Sequence, residues 1–175
     1  MKIAAINRWL VPLGLAACLA SACTSGTGDG AAAAQRLQDR EAIDATMHRY
    51  LTGLDHLDRE LYAGTFAEDA VLDIDGKQTN GRDAMRGVID NEIQYRKAQQ
   101  DRGDTPRVLF HMETNVNVTF PDTDHAERSA YWVTYIREGK DPEGLSALGV
   151  GTSVDELRRI GGQWLIARRT ISLDP

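Results

Sequence analysis

Four residues that can move or hold a proton meet at one corner of this chain. In the segment RYLTGLDHLDRELYAGTFAEDAVLDIDG, residues 49–76, Tyr50, Asp55, His56 and Asp58 fall within nine positions. Ile43, Met47, Tyr50 and Leu54 recur at the three-to-four spacing of a helix face. Asp55 lies one step off that face, where the helix is expected to end near Gly53. A carboxylate beside an apolar stripe can be half-buried, and a half-buried carboxylate is a stronger base. The other reading of the same residues is architectural. Asp55 and Asp58 are also what a helix end followed by a new N-cap looks like, with Asp58 capping a helix that carries Leu61, Tyr62 and Phe66.

The rest of the chain is poor in competing chemistry. It has 175 residues, a net charge of −6, two cysteines and four histidines. No basic block stands out, so no nucleic-acid partner is expected. Both cysteines precede residue 24, so the body has neither a disulfide nor a cysteine-based metal site. His48, His56, His111 and His125 form no HxxxH or HExxH pattern, and no metal site is expected. His125 follows a turn. His111 lies on a strand, opposite Phe110 and Met112 by strict alternation and alongside Glu113, Asn115 and Asn117.

These residues need elements to hold them. The periodicity predicts helices over 35–53, 58–67 and 82–100, and a short strand over 70–74 ended by the turn signal Asp75-Gly76. After Pro106 the period changes from helical to alternating. Long strands are expected over 107–120, 125–137, 146–160 and 164–173, with Gly161-Gly162 as a hairpin turn. Gly149 and Gly151 mark a bend within the third of them. Helices followed by strands predict an α+β domain with its helices on one side of a mainly antiparallel sheet and a pocket between the layers. On the last strand, alternation places Arg168 with Trp164 and Ile166. Arg168 is therefore the expected inward arginine, able to hold a substrate carboxylate or a structural Asp. The aromatic residues of the strand 125–137 are Tyr131, Trp132 and Tyr135, and a mid-sheet tryptophan such as Trp132 reads first as core.

The 49–76 segment, the NGRDAM that opens the third helix, the HMETNVNV strand and the closing GGQWLIARRTISL together resemble the SnoaL-like branch of the nuclear transport factor 2-like superfamily. The resemblance covers roughly residues 36–173. It implies a cone-shaped fold, three N-terminal helices packed on a strongly curved sheet, a homodimer, and a pocket whose expected ligand-binding residues include Tyr131, Trp132 and Tyr135. It also implies a dehydratase-like pair, Asp55 at the first-helix corner and His111 on the first long strand, working without a cofactor. Tyr50 matches a tyrosine of the bile-acid dehydratases. Scytalone dehydratase differs, having a tyrosine where this chain has Leu54. An imidazole whose second N–H is accepted by a carboxylate is an oriented base. Such a pair could take a proton from a small apolar or polycyclic oxygenated molecule while Tyr50 donates to the oxygen. The alternative that the sequence leaves open is a non-catalytic module binding an apolar ligand or a protein.

The first 22 residues read as an export signal: Lys2 and Arg8 precede an apolar run too short to span a membrane. The run ends in two lipobox-like patterns, at Cys18 and Cys23. Cys23 is the expected lipidated residue, because the loose residues 24–34 follow it as a tether. The expected organisation is a signal peptide over 1–22, a lipidated tether over 23–34 and one domain over 35–175. The chain would be exported, periplasmic or at the outer cell surface, and held to the membrane by its lipid.

Overall fold

The computed structural model describes residues 27–139 and 144–173. The signal, Cys18 and Cys23 lie outside them. By its internal contacts the chain divides into Met1–Gln35 and Arg36–Pro175. The order of elements is α1 (Thr27–His56), α2 (Arg59–Ala63), β1 (Phe66–Ile74), β2 (Lys77–Asn80), α3 (Arg82–Asp101), β3 (Val108–Thr119), β4 (His125–Arg137), β5 (Leu145–Ile160) and β6 (Gln163–Leu173). One six-stranded sheet runs in the order β2-β1-β6-β5-β4-β3. All pairings are antiparallel except β1 with β6. The architecture is α+β, as expected.

The first helix begins at Thr27 and not near residue 35. Ala31–Ala34 reads as a loose tract by size, yet alanine is the best helix former. Asp39 is therefore inside the helix, buried, with Arg159 at 2.7 Å from its carboxylate. β2 was not expected. Its four residues KQTN are all polar and mostly exposed, so no alternation marks them. The Asp75-Gly76 turn that leads into it has both residues at positive φ, 49° and 83°, the two-residue hairpin geometry.

The core of Arg36–Pro175 lies between the helices and one face of the sheet. α1 contributes Ile43, Met47 and Tyr50, α3 contributes Met85 and Ile89, and the sheet contributes Phe66, Leu72, Leu157, Trp164 and Ile166. Thr46 Oγ1 donates to the Trp164 carbonyl at 2.8 Å, fixing α1 on β6.

Two register shifts decide which side chains face that core. In β3 the shift between Thr114 and Asn117 moves the inward parity from His111 and Glu113 to Val118, and Asn115 takes φ 54° there. In β6, Leu157 pairs with Ile166 but Glu156 with Arg168, so Ala167 is an extra residue. Such a bulge turns every later side chain to the other face.

Candidate active site

Asp55 is placed by how α1 stops. Leu57 takes φ 57°, and the Asp58 N–H returns to the Gly53 carbonyl at 2.9 Å, the bonding of a left-handed helix stop. Asp58 then caps α2, accepting the Leu61 N–H at 3.0 Å. A Cβ on Gly53 would stand 2.6 Å from the Tyr62 nitrogen, so only glycine lets α2 approach α1 this closely. The corner delivers Asp55 to β3.

There the Asp55 carboxylate meets His111 twice. It accepts the His111 backbone N–H, with its two oxygens at 3.2 and 3.3 Å, and stands 2.6 Å from Nδ1. Both side chains are about one-fifth exposed, 23% and 21%. The short contact assigns the ring proton to Nδ1 and leaves Nε2 as the free basic nitrogen.

His111 lines a cavity of about 230 Å³ whose walls also include Tyr50, Tyr62, Leu54, Val88, Trp132 and Arg169. Tyr50 is buried. Burial raises its hydroxyl above the ordinary tyrosine value, against the lowering pull of Arg169. It therefore stays a neutral phenol, a hydrogen-bond donor and not a base, across the working pH range. Trp132 lies over the glycines of the neighbouring strand. Its indole N–H donates to the Thr152 carbonyl at 3.1 Å, and a Cβ on Gly151 would stand 3.0 Å from the ring and 2.0 Å from the Ser172 oxygen. The two glycines make room for this ring as well as for the shift in register beside Gly149.

The other expected ligand residues are distributed differently. Tyr135 lines a more open hollow with Asp55, Phe110, His111, Arg137 and Leu145. Tyr131 is 53% exposed on the outer face and lines none of the cavities that hold Asp55 or His111. Arg168 is not the inward arginine. The Ala167 bulge turns it out, 3.9 Å from Glu156, and Arg169 takes the inward place.

Arg169 belongs to a buried ring of four charges that the alternation pattern did not reveal. Its Nη1 donates to Asp155 at 2.7 Å and its Nη2 to Glu113. Arg128 donates to the same two carboxylates, at 3.0 Å to Asp155 and 2.6 Å to Glu113. All four side chains are at most 4% exposed. Burial raises the Glu113 carboxyl, and the charges of Arg169 and Arg128 outweigh it, leaving Glu113 below the usual carboxylate range. A signal for the ring was present in the sequence: Arg128 sits between Ala126 and Ala130, a charge at an inward strand position. Among the described residues, no group of three or more His, Cys, Asp or Glu is placed to hold a metal ion.

A family profile described as a SnoaL-like domain matches residues 35–170. The chain belongs to the SnoaL-like family. Solved structures agree with it. A protein of unknown function from Mycobacterium tuberculosis is 27% identical, with a TM-score of 0.66 over 81% of this chain and 75% of that one. A nuclear transport factor 2-like protein with a cystatin-like fold from Novosphingobium aromaticivorans is 23% identical, with a TM-score of 0.69 over 85% and 90%. A putative scytalone dehydratase from the same organism is 22% identical, with a TM-score of 0.63 over 82% and 89%. No curated protein matches. For this SnoaL-like domain the last two likenesses show the fold alone.

Proposed function

We propose that this SnoaL-like domain is a cofactor-independent lyase or isomerase of the dehydratase type. The observation that carries the reading is the 2.6 Å contact between Asp55 and His111 on the wall of a cavity that also presents Tyr50. His111 Nε2 removes a proton next to a carbonyl or to a leaving hydroxyl. Asp55 holds the ring in the productive tautomer and stabilises the imidazolium that forms. Tyr50 donates to the oxygen on which charge develops. The cavity, at about 230 Å³, falls below the roughly 300–1,000 Å³ of ordinary ligand pockets. The substrate is therefore at the small end of the oxygenated apolar class, one or two fused rings.

The test is hydrogen exchange. 1-Tetralone, a bicyclic ketone with an acidic position beside its carbonyl, is incubated with the domain in heavy water and followed by proton NMR. Catalysed exchange is expected in the wild type and lost in Asp55→Asn. Exchange no faster than in buffer, for this ketone and its one-ring analogues, would remove the reading and leave a ligand-binding module. The N-terminal sequence supports an exported lipoprotein. Fatty-acid labelling should tag the wild type and not Cys23→Ser.

A further inference from the structure

Six arginines lie on β4, β5 and β6. Five of them form ion pairs: Arg128, Arg158, Arg159, Arg168 and Arg169. The sixth, Arg137, has neither an ion pair nor a hydrogen bond among the described residues. Its guanidinium carbon stands 5.9 Å from the centroid of the Phe110 ring, at the outer limit of a cation–π contact. That contact uses none of its N–H donors.

The free guanidinium lies on the wall of the open hollow that Asp55, His111 and Tyr135 also line, a space of about 630 Å³. This volume falls within the roughly 300–1,000 Å³ of ordinary ligand pockets, as the inner cavity alone does not. His111 and Met112 border both spaces, so one ligand can lie across them beside the base. The hollow is charged only at its ends. Arg137 pairs across the ladder with Val108, and the Phe110–Tyr135 pair separates that row from His111. From Val108 to His111 is about 10 Å of strand, the span of a bicyclic ring with an acid on its far side.

We infer that Arg137 anchors a carboxylate of the ligand, which makes that ligand a keto acid and not a neutral ketone. The inference rests on the proposed reading of Asp55 and His111 for which end of the ligand reacts. Charge gives the hollow one polarity. A guanidinium receives a carboxylate through two parallel N–H bonds. At the other end Asp55 repels an anion, so the acid is directed to Arg137 and the neutral carbonyl end to His111. A cationic ligand has no matching place, because Arg137 repels it and both Asp55 oxygens already accept from His111. Arg137 thus takes the role that alternation along β6 gave to Arg168.

The experiment titrates 6-carboxy-1-tetralone and its primary amide, of nearly the same shape and without the charge, into the protein by calorimetry. The acid should bind about tenfold tighter, the low end for a hydrogen bond to a charged group, and high salt should shrink the preference. Arg137→Gln should bring the acid down to the amide and leave the amide where it was. Arg137→Lys should retain part of the preference, and Arg168→Gln all of it. In the wild type the Arg137 Nε–H resonance should move with the acid and stay with the amide, a measurement that needs no variant. Binding is read without turnover. An acid preference tied to Arg137 therefore stands even if neither compound exchanges a proton, whereas exchange of 1-tetralone without an acid preference keeps the chemistry and removes the anchor. An acid bound no tighter than the amide, or equal losses for both in Arg137→Gln, overturns the inference. So does an Arg137→Gln protein that keeps the preference while its self-association weakens, since the acceptor is then a carboxylate of a second copy.

Discussion

The chain holds the same two-residue contact twice. At the turn between β3 and β4, Asp122 accepts the His125 backbone N–H at 2.9 Å and stands 2.9 and 3.0 Å from its Nδ1. Asp55 grips His111 in the same way. The surroundings differ. Asp122 and His125 are three residues apart and more than half exposed, beside a hollow lined by Asp69, Glu127, Glu156 and Arg158. Asp55 and His111 are 56 residues apart and meet only because α1 docks on the edge strand β3. A turn makes the first pair from local geometry. The tertiary fold makes the second, and sets it against an apolar cavity with a phenol donor. An Asp–His contact is thus no site by itself. What distinguishes a base from a turn is partial exclusion of water and a second polar group aimed at the same space.

The largest expected effect breaks the pairs one at a time. His111→Gln should lower catalysed tetralone exchange by about 10²–10⁴-fold, the range for loss of a general base. His125→Gln should leave the rate unchanged. Equal losses would show that the cavity does not set the two pairs apart.

The next contrast concerns the arginines behind the cavity. Arg169→Met leaves Glu113 and Asp155 buried with one partner, and breaking a buried ionic network in this way costs about 3–5 kcal/mol. Urea denaturation should show that loss. Arg168→Met removes a surface contact and should cost no more than about 0.5 kcal/mol. If the two variants melt alike, the bulge at Ala167 does not orient β6 as described.

The ring also predicts a pH dependence. Glu113 is held below the usual carboxylate range in the folded state, so its contribution is complete above the unfolded value of about 4.3. It is lost as pH falls through the lower folded value, where the carboxylate takes a proton. Burial holds Asp155 of the same ring above its ordinary value and so acts in the opposite sense. The expected outcome is specific to Glu113, and Glu113→Gln should lose less stability than the wild type between pH 6 and pH 2. The smallest effect belongs to the turn. Asp122→Asn keeps an oxygen for the same N–H groups and should not move the melting midpoint measurably.

Long elements were legible in the sequence because each carries many periods. The strand 125–137 and the helix from Arg82 appear where the pattern put them. Asp55 and His111 could be singled out, the first by its place beside an apolar stripe and the second through the family resemblance. The inward face of β3 could not be read from hydropathy. Phe110 and Met112 look like core yet are 40% and 56% exposed, while the face of His111 and Glu113 turns inward. Polarity can be buried there because Glu113 is neutralised by arginines from β4 and β6, a partnership between distant strands that no local window contains. Arg169 escaped for a related reason: alternation assumes an unbroken ladder, and one extra residue at Ala167 inverts it.

The outer face of the sheet carries Met112, Tyr131, Val150 and Val154, each at least half exposed. We propose that a second copy of the chain covers this face, since apolar side chains gathered on an exposed sheet face mark an association surface. Analytical ultracentrifugation at micromolar concentration should then find a dimer, and a clean monomer would remove the idea.

The grip of Asp55 on the backbone of His111 also guards an open strand edge. β3 is a sheet edge, and an edge strand with free N–H groups is a template for adding a foreign strand. By occupying the His111 N–H, the Asp55 carboxylate puts a charge and a steric block at the middle of that edge. Asparagine at this position would keep the plug and lose the charge, whereas alanine would open the strand to neighbours. Aggregation should therefore separate the two substitutions even where both abolish exchange.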